Sequence, residues 1–181
     1  MVKTQIYINF KVFSRLMELK LALKKLEESQ DFKKWHRENK NTYFSYAFKI
    51  PQESNEWQLG FYNRKRDKIT TFIINGDNVN IRLEEDIFKK EETKVNEIQL
   101  DKVKLTLDNA LAKANEFQEK NFPKDKSIKT IAILQNMSSL GNIWNITYVT
   151  ETFNILNMKI DASSGKVLKH NLSSVFSFRK E

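Results

Sequence analysis

The chain has 181 residues, of which 40% are hydrophobic, so it can bury a substantial core as one medium domain or two small ones. Its 4 glycines and 2 prolines argue against a long flexible linker. The absence of cysteine excludes disulfides, thiolate nucleophiles and cysteine-based zinc or iron–sulfur sites. The net charge of +8 favours anionic partners, although residues of both signs are interspersed as on an ordinary solvated surface.

No apolar run approaches the roughly 18 residues that a membrane-spanning helix needs, so we expect no membrane span. Residues 1–13, MVKTQIYINFKVF, also lack the continuous apolar core and the small-residue cleavage site of a secretion signal. The sequence therefore favours a soluble, cytoplasmic protein if the chain is complete. It favours the cell envelope if an N-terminal signal or anchor has been removed.

The first helix is predicted to follow Asn9, which is suited to cap it. Apolar residues then recur at spacings of four and three, the pattern of a helix that lies on a sheet. This stripe consists of Val12, Leu16, Leu19, Leu23 and Leu26. Ser29 or Asp31 then restarts a helical turn that carries Phe32 and Trp35.

Four strands are predicted next, and they are antiparallel because their connections are short. The first, at residues 43–50, alternates so that its larger side chains share one face. Those side chains belong to Phe44, Tyr46, Phe48 and Ile50. In the second strand, Trp57, Leu59 and Phe61 share a face. Further strands are predicted at residues 69–74 and 79–83, joined by the turn sequence NGDN.

Residues 84–104 are charged and predict an ordered connector with room for an added edge strand. A second helix begins after Thr106, a suitable N-cap, with Asp108 in its first turn. Its buried stripe is predicted to be Leu107, Ala110, Leu111, Ala114 and Phe117. The strands that follow are predicted at residues 128–134, 143–150 and 152–160, with strand-like pieces at 167–168 and 175–178.

The two halves of the chain share a pattern. WQLGFY (57–62) aligns with WNITYV (144–149), and IINGDNVNI (73–81) aligns with KIDASSGKVL (159–168). Trp57 and Ile74 are separated by 17 positions, whereas Trp144 and Ile160 are separated by 16. We therefore predict a duplicated α+β unit, with one copy in residues 1–86, a connector in 87–104 and the second copy in 105–181.

Both faces of the second sheet are apolar in sequence. Trp144, Ile146 and Tyr148 point one way, and Ile143 and Val149 point the other way. One face takes the helix, and we expect the first unit to cover the other. If that face stays open, it is the predicted binding site, with sheet-edge augmentation by an extended peptide as the natural mode.

The second half resembles the PepSY domain, a cystatin-like module of one helix on an antiparallel sheet. The resemblance lies in LTLDNALAKA (105–114) and in KIDASSGKVL. The matching positions are Leu105, Thr106, Leu107, Asp108, Ala110, Ile160, Asp161, Ala162, Gly165 and Val167. The first half departs from the pattern, because its helix is longer and Asn75 stands where Asp161 does, so it is interpreted as a divergent copy.

The resemblance implies two tandem cystatin-like units, each a helix packed on three to four antiparallel strands. PepSY domains occur in propeptides of thermolysin-type metallopeptidases and in small cell-envelope proteins. They imply a non-catalytic, protease-modulating or protein-binding role, and they supply no catalytic residues.

The residues themselves also predict a protein that is not an enzyme. His36 and His170 lie beside no nucleophile motif and form no zinc-ligand spacing, so we predict no catalytic, metal or cofactor-binding residue. Asp161 and Gly165 are predicted to have a structural role: the carboxylate accepts backbone N–H bonds in a turn, and the glycine adopts a positive φ. An enzyme would instead need a deep polar pocket between helix and sheet.

A basic hairpin tip is the candidate for partner binding, at Arg64, Lys65 and Arg66 with Tyr62 beside them. These cations suit phosphates and the ring could stack on a base, but such tips also keep sheet edges from pairing. We predict a monomer or homodimer that binds a protein or peptide, with a peptidase as one candidate. The alternative is a nucleic-acid-associated protein that uses this tip.

Overall fold

The computed structural model describes residues 18–86 and 94–179, which form an α+β fold with one antiparallel sheet. In the first half, helices α1 (Glu18–Glu28) and α2 (Gln30–Glu38) precede strands β1 (Thr42–Lys49), β2 (Trp57–Asn63), β3 (Lys68–Asn75) and β4 (Asn78–Asp86). In the second half, helix α3 (Leu107–Asn121) precedes strands β5 (Ser127–Met137), β6 (Gly141–Thr150), β7 (Asn154–Asp161) and β8 (Val167–Ser174). Val12 and Leu16 of the predicted stripe lie outside the described residues.

The eight strands follow the order β4-β3-β2-β1-β5-β6-β7-β8. Each half forms a meander, and the halves meet where β1 pairs with β5. This central pairing joins Tyr46 with Gln135 and Lys49 with Ala132 at its two ends. The two predicted sheets are therefore one continuous sheet.

One row of residues crosses the whole sheet on the face that carries the helices. The row consists of Ile81, Phe72, Leu59, Ala47, Leu134, Trp144, Ile160 and Val167. Its six inner members, Phe72 to Ile160, are completely buried. The core is therefore a single layer between this face and the helices.

The first two helices are held by a cap and by aromatic packing. The Ser29 hydroxyl accepts a hydrogen bond from the Phe32 amide at 3.2 Å, so Ser29 is the N-cap of α2. Phe32 and Trp35 are buried, and their rings pack on the strands below. The ring centroids of Phe32 and Phe61 are 5.2 Å apart, and those of Trp35 and Phe72 are 5.0 Å apart.

Helix α3 begins at the predicted cap, because the Thr106 hydroxyl accepts a hydrogen bond from the Asn109 amide. Leu107, Ala110 and Ala114 are buried as predicted, and the small alanine side chains let the helix approach the sheet closely. Gln118 is buried as well, since its side chain donates to the Phe122 carbonyl at the end of the helix. The apolar pattern alone did not indicate this buried amide.

The predicted face of β1 is partly wrong. Phe44 pairs with Phe61 on the helix face, whereas Tyr46 pairs with Gly60 and lies on the opposite face. A β-bulge between Phe44 and Tyr46 inserts one extra residue, and this reverses the side-chain alternation. Tyr46 and Phe48 consequently lie on the face away from the helices.

Two further predictions differ from the structure. The connector adds no edge strand in its described part, since Asn96 forms a single bridge to Asn136 and the Ile98 amide donates to the Phe44 carbonyl at 2.9 Å. It therefore lies between β1 and β5, where these strands diverge. Val175–Arg179 forms a 3-10 turn rather than a strand, anchored by a hydrogen bond from the Val175 amide to the Phe153 carbonyl.

The two aligned tryptophans occupy corresponding register positions and meet in the core. Trp57 pairs with Ile74, Trp144 pairs with Ile160, and the tryptophan ring centroids are 6.4 Å apart. Both indoles are almost fully buried. The Trp144 indole N–H donates to the Leu105 carbonyl at 3.1 Å, whereas the buried Trp57 N–H has no hydrogen-bond partner within residues 18–86 and 94–179.

We expect Trp144→Phe to lower the free energy of unfolding by about 1 kcal/mol more than Trp57→Phe, because it breaks the hydrogen bond to the Leu105 carbonyl, whereas Trp57→Phe breaks no hydrogen bond to the described residues. The two substitutions remove the same atoms from equally buried positions, so each is the control for the other. Urea unfolding followed by circular dichroism measures both. Equal losses would contradict the unpaired state of the Trp57 N–H.

Candidate functional site

Within residues 18–86 and 94–179, no helix packs on one face of the sheet, which we call the open face. Helix α1 packs on β2 and β3, and α3 packs on β6, β7 and β8, all on the side that carries Trp57 and Trp144. The expectation that the first unit covers the second sheet is therefore wrong for the described residues. The first half instead extends the sheet edge to edge, because β1 pairs with β5.

A second row of residues crosses all eight strands on the open face. The row consists of Asn80, Ile73, Gln58, Phe48, Ile133, Asn145, Lys159 and Lys169. Its six inner members are half-buried, and the two outer ones are exposed. The row is apolar at the centre and polar toward β8.

The centre of the open face is rigid and aromatic. The ring of Tyr46 lies directly over Gly60, where a Cβ atom would come within 2.0 Å of the ring. The Tyr46 hydroxyl is 2.8 Å from the Thr71 hydroxyl, two strands away, and burial raises the pKa of Tyr46. Phe48 and Ile133 pair beside this bridge. Together they form an apolar platform around the β1–β5 seam.

Polar groups form a connected cluster on the open face of the second half. The Asn157 side-chain amide donates to Asn145 at 2.7 Å and to Thr147 at 2.8 Å, and it accepts a bond from Lys159 at 3.0 Å. Partial burial lowers the pKa of Lys159, and the positive charge of Lys169 beside it lowers it further. Two neighbouring cations on one face attract a carboxylate.

The predicted basic tip is a turn that is fixed by Asn63. The Asn63 side chain accepts hydrogen bonds from the amides of Lys65 at 3.0 Å and Arg66 at 3.2 Å. Arg64, Lys65 and Arg66 are exposed, although the Arg64 guanidinium lies 5.9 Å from the ring centroid of Tyr43 and Arg66 donates to Asn39.

Tyr62 does not share the exposure of these cations. It is 5% exposed, its hydroxyl donates to Asp67 at 2.6 Å, and its ring packs edge-on against Tyr43. Its surface is therefore already used within the hairpin, and a base could not stack on it without rearrangement. The tip therefore offers its cations without Tyr62 as a stacking platform.

Asp161 and Gly165 form the turn that the sequence indicates. The Asp161 carboxylate accepts bonds from the amides of Ser163 at 3.1 Å and Ser164 at 2.6 Å. Burial alone would raise the pKa of Asp161, but the bonds from Ser164 and Ser163 outweigh it and hold the pKa below its usual range. Gly165 has φ +76°. A Cβ atom added to it would lie 3.1 Å from the side chain of Leu105. The turn thus packs on the start of α3.

Asp125 is a buried carboxylate that the sequence analysis did not single out. It lies in the loop between α3 and β5 and accepts hydrogen bonds from Thr152, from Asn154 at 2.8 Å and from Thr150 at 3.4 Å. The bonds from Thr152 and Asn154 lower the pKa of Asp125, although burial opposes them. The carboxylate fastens this loop to the β6–β7 turn. The spacing of Thr150, Thr152 and Asn154 at alternate positions of one hairpin is the sequence signal that could have indicated this cluster.

We expect Thr152→Val to raise the pKa of Asp125, because it removes the leading hydrogen bond to the carboxylate. Carboxyl carbon NMR across a pH titration measures this change. Since the folded-state pKa is lowered, Asp125 stabilises the protein above the unfolded-state pKa of about 4, and this contribution is lost as the pH falls through the folded-state value. Wild-type stability should therefore fall more steeply with acidification than that of the variant.

The matched control is Thr147→Val on β6, outside the Asp125 cluster, where the hydroxyl accepts a bond from Asn157. This control should leave the pKa of Asp125 unchanged. An unchanged pKa in Thr152→Val would show that Thr152 does not stabilise the carboxylate.

A cleft lies on the helix side, between α1 and the connector, and we call it the helix cleft. Its volume is about 380 Å³. The rings of Trp57 and Trp144 line it, together with Leu19 and Leu23 of α1 and Val103 of the connector. No sequence pattern indicates the helix cleft, because the cleft combines residues from four separate parts of the chain.

The remaining candidates are dispersed. The exposed His36 stacks on Phe32 in α2, and the exposed His170 lies 4.9 Å from the ring centroid of Phe117 in the other half. Within residues 18–86 and 94–179, no three histidine or acidic side chains are placed to hold a metal ion. In the same ranges, no helix has the length and apolar character to cross a membrane.

The sheet ends on β4 and β8. Strand β4 is nine residues long and exposes Ile81 and Leu83, whose side chains are 38% and 67% accessible. Strand β8 exposes Leu168 at 38%. Edge strands of this kind can accept an additional strand from another chain.

No protein-family model matches this chain, and no curated protein matches it. Among solved structures, the chain is similar to the crystal structure of a "putative lipoprotein" from Clostridium difficile 630, with a TM-score of 0.52 and 15% sequence identity. The similarity covers 79% of this chain and 90% of the other. At this identity the likeness concerns the fold, and it supports the α+β architecture.

Proposed function

We propose that this protein is a non-catalytic module that binds another protein through its open face. The observation that supports this proposal is the second cross-sheet row, in which half-buried apolar residues at the centre are flanked by polar and cationic residues. An apolar centre with a polar rim is the usual anatomy of a protein interface. Every strand of this face is hydrogen-bonded to at least one neighbouring strand.

The chemistry of the open face suggests the kind of partner. The apolar platform of Tyr46, Phe48 and Ile133 suits an aromatic or aliphatic anchor. Lys159 and Lys169 suit a carboxylate placed beside that anchor. The partner is therefore a protein surface that combines an apolar side chain with acidic residues, as a peptidase or another envelope protein could present.

Edge augmentation is the second mode by which the same function could operate. Strand β4 offers exposed Ile81 and Leu83 to an extended peptide. The open face uses eight strands and the edge uses one, so the two modes differ in which substitutions abolish binding.

We also propose that the chain consists of two cystatin-like copies and that the second copy belongs with the PepSY domains. The matching register of Trp57 with Ile74 and of Trp144 with Ile160 supports duplication. The Asp161 turn supports the PepSY assignment, because the residues that carry the resemblance form it. A cell-envelope location is part of this proposal, and the name of the similar structure, a lipoprotein, agrees with it.

We expect Lys169→Glu to weaken binding of the partner about three- to tenfold, because an exposed ion pair contributes roughly 0.5–1 kcal/mol and the reversal turns attraction into repulsion. The partner is obtained by affinity capture from host extracts and identified by mass spectrometry. Binding of the purified pair is then measured by calorimetry.

The matched control is Lys120→Glu, which changes the same charge on the exposed side of α3. This control should bind like wild type. If Leu83→Lys loses binding while Lys169→Glu retains it, the binding site is the β4 edge and not the open face. Leu168→Lys on the opposite edge is the control for that variant.

Nucleic-acid binding is the second candidate, because the Asn63 turn presents three exposed cations together. The test compares two double variants on a heparin column, Arg64→Glu/Lys65→Glu and Lys33→Glu/Lys34→Glu. If protein binding is the function, the salt concentration at which the protein elutes should fall by the same amount in both. Each pair removes the same charge, and all four side chains are exposed. A loss of DNA binding confined to the tip variant would instead favour the nucleic-acid candidate.

A further inference from the structure

The helix cleft has the composition of a small-molecule site, and it is separate from the open face. It is walled by Leu19 and Leu23 on one side and by Val103 and Leu107 on the other, above the two tryptophans. Its volume of about 380 Å³ lies at the lower end of the range for ligand pockets. It is therefore too small for a peptide strand or a two-chain lipid, but it has room for one slender apolar chain.

Cations surround the mouth of the cleft. Lys20 and Lys24 lie one turn apart on α1, and Lys104 faces them from the connector. All three are exposed, and Glu27 also lines the cleft. Glu28 competes only weakly with a ligand for the Lys24 ammonium. The two charged groups are 3.8 Å apart, and both side chains are about two-thirds exposed.

We propose that the helix cleft binds a single-chain aliphatic carboxylate of the fatty-acid class. The apolar walls remove the chain from water, which is the main source of affinity. The lysines at the mouth then hold the carboxylate where it remains partly hydrated, so that the charge is not buried without a partner. A neutral amphiphile of the same length lacks this second interaction.

The experiment uses the full chain and dodecanoate below its micelle concentration, with tryptophan fluorescence and calorimetry as readouts. We expect saturable binding of one dodecanoate per chain, with weaker binding of 1-dodecanol. Trp57 and Trp144 line the cleft, so fluorescence should change on binding, and Trp57→Phe and Trp144→Phe should each reduce that change.

Two variants test the walls and the mouth separately. Val103→Trp fills the cleft from the connector, and it should abolish binding. Lys20→Glu/Lys104→Glu should weaken dodecanoate binding about tenfold and leave dodecanol binding unchanged. The matched control, Lys34→Glu/Lys120→Glu, removes the same charge from exposed helix positions outside the cleft and should bind dodecanoate like wild type. The charge variant keeps the test valid if Val103→Trp does not fold.

The proposal is overturned if dodecanoate does not bind, or if dodecanol binds as well as dodecanoate. It is equally overturned if dodecanoate binds with the same affinity to the wild type, the wall variant, the mouth variant and the control. It is also overturned if sedimentation shows self-association that Val103→Trp abolishes, because the occupant would then be a second copy of the chain. Lys169→Glu should bind dodecanoate normally. The proposal for the helix cleft and the proposal for the open face can therefore be refuted independently of each other.

Discussion

The pairing of β1 with β5 is the contact on which the rest of the molecule depends. Each half would otherwise end on an exposed edge strand, with unpaired backbone groups that invite association. The pairing satisfies these groups with a short ladder from Tyr46 to Lys49. The completely buried alanines at 47 and 132 leave room above the seam, and there the Trp57 and Trp144 rings meet.

Joining the halves edge to edge decides where binding surfaces can exist. A face-to-face arrangement would have buried both faces of each sheet. The continuous sheet instead carries its helices on one side and leaves the other side open, at least over the described residues. The same arrangement places α1 and the connector on either side of the tryptophan pair, which creates the helix cleft. The open face and the cleft thus have one structural cause.

Sequence patterns predicted the structure correctly where short-range chemistry decides it. Ser29 and Thr106 are caps because a hydroxyl reaches an amide three residues ahead, and Asp161 forms its turn for a similar local reason. The alternation of side chains gave a wrong prediction for the faces of β1 after Phe44. A bulge shifts the register there, and the residue types do not indicate it. Alternation also failed at the C-terminal turn, where an apolar run suits several conformations. Of the predicted site residues, Tyr62 was misjudged as available, since its burial depends on Tyr43 from another strand.

The sequence by itself determined most of the helices and strands, the caps and turns, and the nearly equal spacing of 17 and 16 positions that brings Trp57 to Ile74 and Trp144 to Ile160. These features depend on residues close in the chain or on a fixed period, so one sequence contains enough information. Only the tertiary structure decided that the halves join through β1 and β5, that one face stays open, and that Asp125 and the helix cleft exist. Such features arise from contacts between distant segments, and periodicity carries no information about which edges will pair.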